Sequence, residues 1–134
     1  MGTRLAPTVT PDTRFFWDGL RSDRLLVQRC DDCGVLRHPP RPMCSQCQSL
    51  GWSAVPASGR GKVVSFVMPR HPRFPWSGED DIVALVELEE GVRIVTNLVD
   101  VAPASVAIGM TVVVRFERFD DDLVLPLFAP AVDA

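Results

Sequence analysis

Cys30-Asp31-Asp32-Cys33 and Cys44-Ser45-Gln46-Cys47 decide how this sequence is read. They are two C-x-x-C pairs separated by ten residues, and they contain every cysteine of the 134-residue chain. Four thiolates at this spacing close a tetrahedral shell around one ion. The expected cofactor is a structural zinc held by Cys30, Cys33, Cys44 and Cys47. Iron on the same four sulfurs, as in a rubredoxin-type site, is the rival ion. A full shell leaves no open position, so no chemistry is expected at the metal itself. A redox dithiol would need one pair, not two. Gly34 follows the first pair and suits the tight turn that aims amides at sulfur. Gln48 follows the second, so the second turn is expected to depart slightly from the first. Residues 30–47 hold few apolar side chains, and the metal is expected to replace a core there.

Working outward, Arg37-His38-Pro39-Pro40-Arg41-Pro42 joins the two pairs. Its three prolines exclude a helix and a central strand and leave an extended, stiff connection. Upstream, residues 1–9 read as a loose tail. Residues 10–20 read as a short amphipathic helix, with Thr10 as N-cap, Pro11 as first helical residue, and Phe16 and Leu20 on one face. Residues 25–29 read as a strand leading into Cys30. Downstream, strands are expected at 62–68, 82–88, 93–99, 111–119 and 123–128. A long loop at 69–81 and an irregular connection at 100–110, with one helical turn, separate them. Asp120-Asp121-Asp122 reads as a hairpin turn.

Five short strands with no long helix between them point to a small sandwich or barrel, and a partly open five-stranded barrel is the OB architecture. The fold expected is therefore mostly β. It divides into a tail and helix at 1–24, a zinc ribbon at 25–54 and an OB-fold barrel at 55–134.

The composition is that of a globular protein, with 46% hydrophobic and 23% charged residues. No apolar run reaches 18 residues, so no membrane span is expected. The first ten residues lack the basic and apolar regions of a signal peptide, and a cytoplasmic location is expected. Four cysteines in that compartment are metal ligands sooner than disulfides. The net charge is −3, but it is unevenly spread. Residues 1–76 carry eleven Arg/Lys against five Asp/Glu, and residues 77–134 carry three against twelve. Such a dipole fits an anionic ligand or partner at the basic end, or two halves that neutralise each other.

The residues proposed to meet a ligand or partner come from the basic half: Arg37, His38, Arg41, Arg60, Lys62, Arg70, His71, Arg73 and Trp76. Phosphate or an acidic protein surface would suit the cations, and Trp76 could anchor an interface. A single-stranded nucleic acid is a second reading of the same groups on an OB barrel. The acidic total, the absence of tyrosine and the lack of an aromatic ladder weigh against it. Neither histidine has a nucleophile motif beside it, so no catalytic residue is assigned. His38 reads as a surface residue, and Glu87, Glu89, Glu90 and Asp120–Asp122 read as solvated hairpin tips. Gly59-Arg60-Gly61 fails as a nucleotide fingerprint and fits the bent start of a barrel strand.

Several stretches carry a resemblance: Phe16-Trp17-Asp18-Gly19-Leu20, Cys33-Gly34, Arg37 through Cys44, Ser58-Gly59-Arg60-Gly61-Lys62-Val63 and Leu125-Pro126-Leu127-Phe128. Over roughly residues 13–130 the chain resembles the zinc-ribbon/OB-fold family of acyl-CoA-associated proteins, long catalogued as a domain of unknown function. The resemblance implies an N-terminal helical piece, a rubredoxin-like zinc ribbon and a C-terminal OB barrel. It is strongest to the version found in steroid side-chain degradation. There the implied partner is a lipid-transfer-protein-like, thiolase-fold enzyme acting as a retro-aldolase on an acyl-CoA, with an enoyl-CoA hydratase as a further associate. The implied role is a non-catalytic accessory subunit that stabilises this enzyme and shapes acyl-CoA access. A nucleic-acid-binding protein and an acyl-CoA thioesterase are the alternatives.

Overall fold

The structure is a computed structural model and describes residues 4–71 and 81–131. Helix α1 (Arg14–Arg21) starts later than the sequence suggests. The Thr10 carbonyl accepts the amides of Thr13 and Arg14 at 3.1 and 2.9 Å, so residues 11–13 form a turn and Thr13 takes the N-cap. Phe16 and Leu20 do share the buried face.

A first sheet has the order β2-β1-β3, from β1 (Leu26–Cys30), β2 (Leu36–Arg37) and β3 (Trp52–Pro56). Strand β3 is not signalled in the sequence. It exists through its partner, since its five residues pair with β1 from Leu26↔Pro56 to Cys30↔Trp52. Pro56 is tolerated because it ends an edge strand, where its missing amide breaks no ladder. Strand β2 is an edge for the same reason, being cut short by His38 and the prolines.

The second sheet contains β4 (Arg60–Val67), β5 (Val83–Leu88), β6 (Arg93–Asn97), β7 (Thr111–Arg118) and β8 (Val124–Pro130), in the order β6-β5-β4-β7-β8. Its two outer strands meet. The Val99 amide donates to the Phe128 carbonyl at 2.8 Å, and the Thr96 hydroxyl to the Pro126 carbonyl at 2.8 Å. A central first strand, with the third strand closing on the fifth, is the OB topology. A register shift between Val63 and Ser65 helps β4 curl against β5. Gly61 lets these strands touch, because a Cβ there would lie 2.5 Å from the Glu87 carbonyl oxygen. A single 3-10 turn, Pro103–Ser105, interrupts the connection from β6 to β7.

The five barrel strands β4–β8 thus stand where the sequence puts them. Val63, Ile82, Val86, Val112 and Phe128 form the barrel core, and Phe16, Leu20 and Val27 from the helix and first sheet join the same apolar cluster. Among the described residues, no helix is long and apolar enough to cross a membrane.

Candidate metal centre and the loop it holds

The same local fold occurs twice around the cysteines. In the first turn the Gly34 amide donates to the Cys30 carbonyl at 3.0 Å, and the Cys30 amide to the Val35 carbonyl at 2.9 Å. In the second, the Gln48 amide donates to the Cys44 carbonyl at 2.9 Å, and the Cys44 amide to the Ser49 carbonyl at 2.9 Å. Gly34 has φ 76° and Gln48 φ 63°. The expected departure at Gln48 therefore does not occur. A glutamine adopts the left-handed turn that glycine takes opposite it, at a cost of about 1 kcal/mol. The second turn must match the first for both pairs to face one point, and that requirement overrides local preference.

All four sulfurs lie within 4.8 Å of one another, with Cys30–Cys47 at 3.5 Å and Cys33–Cys44 at 3.6 Å. A tetrahedron with metal–sulfur bonds of zinc length has edges of about 3.8 Å, so the cluster fits such an ion. Cys30 and Cys44 are buried, while Cys33 and Cys47 are exposed. Amides point at the inner sulfurs: Cys33 N reaches Cys30 Sγ at 3.5 Å and Gln46 N reaches Cys44 Sγ at 3.4 Å. The Cys33 amide, above all, pulls the Cys30 thiol down to about 6. The amides of Cys47 and Gln46 lower Cys44. At Cys47 the Ser49 amide acts downward, but the three other sulfurs and burial outweigh it and push the thiol up to about 12. Four thiolates this close are not all ionised without a cation among them, and that is the chemistry of a metal-binding cluster.

The proline run between the pairs is tied back to β1. Gln28 is completely buried, and its side-chain oxygen accepts Arg37 Nε at 2.9 Å and the Arg41 amide at 2.8 Å. Arg37 Nη2 donates to the Arg41 carbonyl at 2.9 Å. The Arg37 side chain and the Arg41 backbone thus hold the loop together, and the Arg41 side chain is exposed. His38, expected at the surface, is half-buried instead, its ring 5.2 Å from that of Phe16. Burial holds its imidazole down at about 4. His38, Pro39 and Pro40 form one wall of a groove of about 310 Å³, with Phe16 and Trp17 beside them and β6 and β8 opposite.

The remaining basic residues do not converge on this loop. Arg60 and Lys62 lie at the start of β4 in a separate shallow hollow with Glu87 and Glu89. Arg60 pairs with Glu89 at 3.6 Å, and Arg93 pairs with Glu87 at 3.2 Å. Arg70 and His71 are exposed beyond β4. Arg73 and Trp76 lie outside the described residues. Glu90, taken as a solvated tip, instead accepts the Ser58 amide at 2.8 Å and joins the barrel to the segment before it. Sequence reasoning passed over Gln28, whose signal was a polar residue at an inward position of Leu26-Val27-Gln28-Arg29-Cys30. It also passed over Trp17 as a groove residue.

A four-cysteine ribbon fused through a shared core to a five-stranded OB barrel defines the class of protein. Two family descriptions match: "ChsH2, rubredoxin-like zinc ribbon domain" over residues 17–53 and "ChsH2, C-terminal OB-fold domain" over residues 54–117. The chain is 35% identical over 100 residues to a DUF35 domain-containing scaffold protein of Methanocaldococcus jannaschii, covering 73% of this chain and 71% of that protein. It is 45% identical over 117 residues to the 3-oxo-4,17-pregnadiene-20-carboxyl-CoA hydratase alpha subunit of Mycobacterium tuberculosis, covering 87% of this chain but only 37% of that protein. The solved structure described as "Ltp2-ChsH2(DUF35) aldolase" contains a chain 45% identical to this one, with a TM-score of 0.90, covering 95% of this chain and all of that one. The chain belongs to the DUF35 family, in its ChsH2-type zinc-ribbon and OB-fold form.

Proposed function

We propose that this chain is a non-catalytic accessory subunit. It folds around a structural zinc on Cys30, Cys33, Cys44 and Cys47, docks on a thiolase-fold acyl-CoA enzyme, stabilises that enzyme and shapes access of the acyl-CoA. The observation that carries the reading is the match, along the whole of the other chain, to the ChsH2(DUF35) component of an aldolase. The name of the M. tuberculosis relative supports a place in steroid or lipid side-chain degradation. A cluster of four cysteine ligands leaves no open position on a bound ion, which agrees with a scaffold.

Zinc is the ion of choice because four thiolates in a tetrahedron suit it and the family description is a zinc ribbon. In this reading the ribbon spans 25–54, the barrel 55–134, and the exposed Arg70 and His71, with Arg73 and Trp76, face the enzyme or the phosphates of its ligand. Affinity purification of the tagged chain from its own cells, followed by mass spectrometry, tests the role. Recovery of a thiolase-fold enzyme, and a rise in that enzyme's activity on adding the chain, is the expected result. A chain that purifies alone and leaves such an enzyme unchanged would overturn it.

The hydratase relatives favour a second reading. The chain spans about two fifths of their length, so it corresponds to one part of a larger hydratase subunit. Recovery of an enoyl-CoA hydratase in the same purification would support that version.

A further inference from the structure

Two hollows lie on either side of Trp17 and share its side chain. The first is the groove of about 310 Å³ described above, walled by Pro39 and Pro40 on one side and by Val95 and Leu125 on the other. Val95 is 69% exposed at the middle of β6, between Arg93 and Asn97 on the same outward face. Val95 thereby adds its exposed side chain to a groove whose lining is mainly apolar, and it is the contiguous patch that marks a contact surface. The second hollow, of about 470 Å³, runs from Trp17 along Val9 and Leu123 to the turn between β7 and β8.

That turn is acidic. Asp120 spends its carboxylate on the amides of Asp122 and Leu123, both at 2.8 Å. Arg21 gives its Nη1 to Asp18 and its Nε to the Asp122 carbonyl, so it does not neutralise the two outer side chains. Asp121 and Asp122 are exposed, and no described cation pairs with either carboxylate. The apolar groove and this mixed hollow thus form one trough past Trp17, which ends at two carboxylates paired with no described cation.

We infer that this trough is the face by which the chain docks on its enzyme, and that its occupant is a segment of that enzyme which lays apolar side chains against Trp17 and Val95 and ends in a lysine or arginine over Asp121 and Asp122. The inference rests on the accessory-subunit reading and gives it a location. Charge complementarity chooses the occupant: a phosphate backbone is repelled by the acidic end, and a wholly apolar segment leaves the carboxylates unused. Arg70, exposed beyond β4, does not line this trough and is left to face the anionic ligand of the complex.

Purified Ltp2, the aldolase partner named with the 45%-identical relative, is the probe. Its affinity for the full chain is measured by calorimetry at low and high salt, for the wild type, Val95→Glu and Asp121→Lys/Asp122→Lys. All three substitutions are at exposed positions, and melting curves check that each variant is folded. The expected result is that each variant binds at least about tenfold more weakly, and that high salt weakens the wild type while leaving the double-lysine variant unchanged. Wild-type binding with both variants equal to it would overturn the location and leave the accessory role standing. No wild-type binding to Ltp2 would remove both for that enzyme.

Discussion

Gln28 on β1 and Arg37 on β2 are register partners, and the buried side-chain oxygen of Gln28 receives the Arg37 guanidinium at 2.9 Å. The same oxygen takes the Arg41 amide. One glutamine therefore holds both ends of the proline run that links the two cysteine pairs. Its neighbour two residues on is the ligand Cys30, and the run it fixes ends two residues before Cys44. The metal cluster and the groove wall at His38–Pro40 are parts of one construction.

Gln28→Leu is nearly isosteric but removes the acceptor from two donors at once. It is expected to cost roughly 2–3 kcal/mol in denaturant unfolding, because a guanidinium and a backbone amide lose their buried partner. Gln28→Glu keeps the acceptor and gives Arg37 an opposite charge, so it should cost less. Equal losses for both variants would mean that side-chain shape, and not the hydrogen bonds, holds the loop.

Gln48 holds a left-handed backbone that its knuckle demands and a glutamine side chain resists. Gln48→Gly is expected to stabilise the metal-loaded protein by up to about 1 kcal/mol, while Gln48→Val should destabilise it by more. Thermal unfolding of the zinc-loaded variants reads this directly. A destabilised glycine variant would show that the side chain makes a contact worth more than the strain.

Removing the metal with a chelator, or replacing the buried ligand Cys44 by serine, should unfold the ribbon first. Residues 30–47 have few apolar side chains to fall back on, so loss of protection in amide exchange is expected there and through the loop 37–42. The barrel strands β4–β8 keep their own core and should exchange more slowly. Uniform loss of protection across both sheets would show that the shared cluster of Phe16, Leu20 and Val27 couples them completely.

Burial keeps His38 at about 4, below the ordinary 6.5 of the ring. The folded state favours the neutral imidazole, and the unfolded chain binds the proton first as the solution is acidified. The stability that depends on a neutral His38 is thus complete above about pH 6.5 and is lost as the pH falls toward 4. The stability difference between wild type and His38→Gln should shift through that window by roughly 2 kcal/mol, while acid loss of the metal is common to both proteins. A difference that does not vary with pH would mean that the ring titrates as an exposed histidine does.

Legibility followed the range of the forces involved. The cysteine spacing, the five barrel strands, the acidic turn at Asp120–Asp122 and the inward pairing of Phe16 with Leu20 could all be read locally, since each depends on neighbours within a few residues. Strand β3 could not, because its residues are strand only by virtue of β1. The start of α1 shifted by three residues, as Thr10 closes a turn before the helix begins. His38 beside prolines looked like a surface residue until Phe16, more than twenty positions upstream in the chain, came to lie against it.

What the sequence alone determined about this protein is its chemistry of closure: four cysteines in two pairs admit one tetrahedral metal site, and short alternating segments with turn residues admit a small antiparallel barrel. What only the tertiary structure decided is where surfaces face. The Arg37 side chain ties down its own loop while that of Arg41 stays exposed, Arg60 lies beside Glu89, and Trp17 is set between an apolar groove and a turn whose Asp121 and Asp122 carboxylates pair with no described cation. Those outcomes depend on which distant elements share a core, and burial, charge pairing and exposure are properties of that packing rather than of any local stretch of chain.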